Sequence, residues 1–93
     1  MDANLVFMKR WNYKVLQIVN ENKYIISVCF CEQIIDYSLH YWLKEEEVKL
    51  GFRNLSGLAE SIRQDREKYK DRLVSQPTNL LPFNRDEVES EDF

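Results

Sequence analysis

Asp36, Ser38 and His40 are the residue types of a hydrolase triad, set at every second position. On a strand such side chains stand parallel, about 7 Å from one to the next. A nucleophile needs its base within hydrogen-bond reach. The spacing therefore reads as a solvated strand face, and the same residues beside Trp42 form a contact patch. Cys29-x-Cys31 and the single histidine are the soft metal ligands on offer. Structural zinc needs four ligands at matched spacing, so no metal site is assigned. On a strand the two thiols share one face, too far apart for a comfortable disulfide, and both read as reduced. The two glycines, Gly51 and Gly57, fit no phosphate-cradling pattern. Glu45-Glu46-Glu47 reads as an acidic helix start. No catalytic residue and no cofactor is expected.

Binding residues are easier to name. Tryptophan and tyrosine dominate interface hot spots, which singles out Trp11 and Trp42. Trp42 is preferred, because its phase places it with Asp36, Ser38 and His40. The cluster Arg63, Arg66, Lys68, Lys70 and Arg72 raises nucleic-acid binding. Glu60, Asp65, Glu67 and Asp71 are interleaved with it, so it reads as a salt-bridged helix face. Asp86, Glu87 and Glu89 form a second candidate partner-binding surface near the C-terminus.

These residues must be carried by a small scaffold. The chain has 93 residues, a net charge of −3, 44% hydrophobic and 13% aromatic residues. That composition suits one globular domain with a modest core. No run approaches the roughly 20 apolar residues of a membrane span. Basic residues follow the apolar ones at the N-terminus, unlike a secretory signal, so a cytoplasmic location is expected.

Trp11 to Val19 and Tyr24 to Cys31 read as two strands joined by the turn-forming Asn20-Glu21-Asn22-Lys23. Ile35, Tyr37, Leu39, Tyr41 and Leu43 then alternate with polar neighbours, the pattern of an antiparallel strand with one wet face. A short acidic helical turn ends at Gly51, and Asn54 is expected to cap a longer helix. Leu55, Leu58, Ala59, Ile62, Tyr69 and Leu73 form its apolar stripe. Arg66 falls inside the stripe. Either its guanidinium reaches past the core to water, or the helix breaks near Gln64 and Asp65 caps a second one; the break is favoured. Residues 1–10 are ambiguous between a short helix and an extended arm.

The expected architecture is α+β: a three-stranded antiparallel β-meander, then one long or broken C-terminal helix packed on one sheet face. The domain is expected to span 1–75, with 76–93 an acidic, mobile tail. Leu80, Leu81 and Phe83 could dock back on it.

The order of an apolar strand, Glu45-Glu46-Glu47, Leu58-Ala59-x-x-Ile62 and Tyr69-x-x-Arg72 resembles small bacterial immunity-type proteins of polymorphic and contact-dependent toxin systems. The resemblance covers about residues 35–73. Gln64-Asp65-Arg66 stands where a Ser-Pro often opens the second short helix of that pattern. The resemblance implies a heterologous protein partner, possibly a toxin, neutralised by direct binding. The alternative is a homo-oligomeric adaptor or assembly subunit, commonly a homodimer. Neither membrane nor nucleic acid is expected as a partner.

Overall fold

A computed structural model describes residues 1–91. The strands are β1 (Asp2–Lys9), β2 (Tyr13–Ile18), β3 (Tyr24–Glu32), β4 (Ile35–Trp42), β5 (Asn79–Leu80) and β6 (Glu89–Glu91). Two α-helices, α1 (Glu45–Lys49) and α2 (Ser56–Gln64), and three 3-10 turns lie between β4 and the chain end. The strands form one mixed sheet in the order β4-β3-β2-β1-β5, with β6 also on β1. β1 to β4 pair antiparallel, whereas β5 and β6 both run parallel to β1.

This sheet overturns the expected three-stranded meander with a long or broken C-terminal helix. Residues 2–9, left open between helix and arm, are a central strand. Residues 79–80 and 89–91, placed in the expected mobile tail, close the outer edge of β1. Leu81 N–H donates to Ala3 O at 2.9 Å, fixing the returning chain beside β1. Asp92 and Phe93 lie outside the described residues. No long helix forms, because α2 stops at Asp65, whose extended backbone (φ −146°, ψ 78°) breaks the ladder. The Asp65 carboxylate accepts from Lys68 N–H at 3.3 Å and caps a 3-10 turn, Arg66–Arg72. Asn54 does not cap α2; its side-chain amide donates back to Leu50 O at 2.7 Å.

Both faces of the sheet are apolar over part of their area. On the first, Phe7, Tyr13, Val15, Ile26, Val28, Phe30 and Tyr41 pack against Leu55, Ala59 and Ile62 of the helical layer. On the second, Ala3, Leu5, Leu16, Ile18 and Ile25 pack with Met1, Trp42, Val74 and Val88. β1 serves both through a bulge. Leu5 lies opposite Leu16 and Phe7 opposite Val15, so Val6 is one residue more than the partner strand supplies. The extra residue turns Leu5 and Phe7 to opposite faces although both positions are odd.

The connections are tight. Trp11 (φ 63°), Asn20 (φ 64°) and Gln33 (φ 55°) each put one residue in the left-handed region. Asparagine tolerates that region well, whereas a bulky tryptophan there is uncommon.

Candidate functional site

The register assigns residues to rows across the second face. Leu5, Leu16, Ile25 and Trp42 make an apolar row, with Ala3 and Ile18 beyond it. The next row is Met8, Lys14, Ser27 and His40. Then come the pairs Cys29–Ser38 and Cys31–Asp36. Val74 and Val88 lie against the apolar rows. In the polar rows Lys14, Cys31, Asp36 and Ser38 are exposed. The face is therefore dry at one end and open at the other.

Asp36, Ser38, His40 and Trp42 do lie in one line along β4 on this face, but in different surroundings. Asp36 faces Cys31 in register, and its carboxylate, by hydrogen bonding and charge, holds that thiol above its ordinary pKa. Ser38 is exposed opposite Cys29. His40 is half-buried, and its Nδ1 has no hydrogen-bond partner among the described residues. Burial, and then the Lys14 charge, lower its pKa. Ser38 and His40 stand two positions apart on one strand face, about 7 Å by strand geometry, so the three residue types do not assemble into a relay. Trp42 is not an exposed anchor: it packs with the second apolar cluster, under the Lys23 ammonium at 5.9 Å from its ring centre. Trp42 and Lys23 line a depression of about 510 Å³ facing α1.

Asp86, Glu87 and Glu89 are brought to the opposite edge, with β3, β2 and β1 between them and β4. Asp86 and Glu87 are exposed. Glu89 pairs with Arg53 at 2.6 Å and ties β6 to the turn after α1. The two expected binding surfaces are therefore separate.

Trp11, expected to open a strand, is a turn residue. It lies between β1 and β2, is 71% exposed, and has Arg10 stacked over its ring at 5.6 Å. No local signal marks this, because Trp11, Tyr13 and Val15 alternate with Asn12 and Lys14 as a strand starting at Trp11 would. The turn is held from beneath by Arg63 of α2. Its guanidinium donates to Asn12 O, to Asn12 Oδ1 at 2.8 Å and to Cys29 O at 2.8 Å. A planar fork meets these acceptors as an ammonium would not. Arg66 and Arg72 are also engaged. Arg66 reaches Tyr37 Oη at 3.1 Å and lies over Phe30, whereas Arg72 bonds Trp42 O and pairs with Glu47. The three arginines of the basic cluster thus fasten the helical layer to the sheet, whereas Lys68 and Lys70 are exposed.

Trp11 stands at the mouth of a cleft of about 370 Å³ on the open end of the second face. Met8, Lys14, Cys29 and Ser38 line its floor and walls, with Arg10 and Arg85 contributing charge. Among the described residues, no carboxylate lines it. The Lys9 stem borders the cleft, but its ammonium turns to Ser56 Oγ at 2.7 Å and Glu91 at 3.6 Å. The arrangement offers a cationic hollow with an aromatic rim, suited to holding an acidic or aromatic group. Among the described residues, no cluster of three or more His, Cys, Asp or Glu could hold a metal ion. No described helix is long and apolar enough to cross a membrane.

No family model, no curated protein and no solved structure matches the chain.

Proposed function

We propose that this chain is a non-catalytic protein-binding protein that holds a heterologous partner on the open end of the second sheet face. The observation that carries this reading is Trp11: a large aromatic ring, mostly exposed, on a turn that the Arg63–Asn12 contacts hold at the rim of a cationic cleft. A tryptophan has few side-chain torsions to order on binding and brings a large contact area. Lys14, Arg10 and Arg85 favour a partner that presents carboxylates there.

The resemblance over residues 35–73 makes a bacterial toxin the partner of choice, neutralised by occupation of a surface it needs. Co-expression with the product of the adjacent gene tests this reading, with rescue of growth and co-purification as the readouts. Rescue by the intact chain, with affinity lowered by roughly 2 kcal/mol or more in Trp11→Ala, is the expected result. Absence of both rescue and a complex with any adjacent product would overturn the proposal.

A further inference from the structure

Lys9, Lys49, Arg53, Arg63 and Arg72 each pair with a glutamate. Of the cations without such a pair among the described residues, three line one cleft, the hollow under Trp11. They are Arg10, Lys14 and Arg85, and all three are exposed. Arg10 comes from the turn between β1 and β2, Lys14 from β2, and Arg85 from the 3-10 turn before β6. Like charges gathered from separate segments repel, and an anion between them relieves the repulsion. The neutral groups around them also suit an anion. Asn12 Oδ1 accepts from Arg63 at 2.8 Å, which leaves the amide N–H2 as the free end of that side chain. Ser38 adds a hydroxyl to the lining. Asp86 and Glu87 follow Arg85 in sequence but do not line the cleft.

We propose that this cleft binds a phosphate monoester, its phosphate between Arg10, Lys14 and Arg85 and its ester group against the Trp11 ring. A single carboxylate would leave two of the three cations without a counter-charge. A phosphate monoester brings about −2 charge near neutral pH and three strong acceptor oxygens. Two guanidinium forks and one ammonium match those oxygens. Trp11 stays 71% exposed with Arg10 over its ring, so ring surface remains for the ester group. The volume of about 370 Å³ lies in the range of small-molecule sites. This inference goes beyond the protein-partner reading and shares only the cleft with it; a bound monoester would compete with the partner for the same cations.

Titration of the full chain with phenyl phosphate tests it, followed by NMR at the Trp11 indole N–H and the Lys14 and Ser38 amides. Saturable shifts are expected at roughly millimolar ligand, about tenfold tighter than with benzoate, which carries the same ring on one carboxylate. Arg85→Gln and Lys14→Gln should each weaken phenyl phosphate about tenfold, the loss of one charge-assisted hydrogen bond. Both positions are exposed, so the fold should stay intact by circular dichroism. Lys68→Gln, on the helical layer, should change nothing. Trp11→Ala should weaken phenyl phosphate and spare inorganic phosphate. Adenosine monophosphate and a phosphotyrosine peptide form two further arms, and the tighter of them names the source of the monoester. No saturable binding, equal affinity for benzoate, or an equal loss in Lys68→Gln overturns the proposal. Each of these results would leave complex formation with a protein partner standing on its own test.

Discussion

Tyr13 joins a buried position on β2 to the chain just before α2. Its hydroxyl donates to Phe52 O and accepts from Leu55 N–H at 3.3 Å. Burial, the largest influence, raises the phenol pKa. Tyr13→Phe keeps the ring and strands a carbonyl and an amide in a largely dry place. The expected loss is about 1–3 kcal/mol, measured as a lower urea midpoint at an unchanged slope. His40 makes a second prediction. Its folded pKa lies below the ordinary 6.5, so the unfolded chain takes up a proton that the folded chain resists. Stability from this residue is intact above pH 6.5 and falls as pH drops through 6.5 toward the lower folded value. Against wild type, His40→Gln should show a flatter stability profile across that window in denaturant titrations at stepped pH. A profile identical to wild type would remove the residue from the pH response.

At the scale of elements, what the sequence disclosed depends on where each strand's partners lie. The alternation from Ile35 to Trp42 is legible because one face meets the helical layer while part of the other meets water. Arg66 in the apolar stripe was a visible sign of trouble in the helix, and Asp65 is where it ends. β1 was not legible. Its bulge assigns Leu5 and Phe7 to different clusters, which regular alternation cannot announce. β5 and β6 are two and three residues long and pair with a strand more than seventy positions earlier. Nothing local distinguishes them from an acidic tail. The site was half legible for the same reason: the β4 row could be read from its period. Trp11 depends on a left-handed turn and on an arginine fifty-two positions away.

For the whole molecule, charge is distributed against its average. The chain carries −3 overall, yet among the described residues the cleft beneath Trp11 is lined by cations and no carboxylate. Asp86 and Glu87 are exposed at the β1 edge, and Glu45 to Glu47 open α1. An acidic partner surface would be drawn to the cleft and turned away from those acidic edges, so orientation is set before contact. Raising salt from about 0.1 M to about 1 M shortens the screening length from roughly 10 Å to roughly 3 Å. The association rate with the partner should fall by about tenfold or more while dissociation changes little, as stopped-flow mixing would show.

The extra residue in β1 has one more consequence. Removing Val6 would restore an unbroken match between Ala3–Lys9 and the strand beside it, with Leu5 still opposite Leu16 and Phe7 still opposite Val15. The partial packing of Val6 on the first cluster would be lost, the fully buried side chains would stay on their own sides, and the sheet would flatten locally. Shortening the chain at this position should thus be gentler than shortening it at Leu5, where the deletion would also remove a buried hydrophobic group.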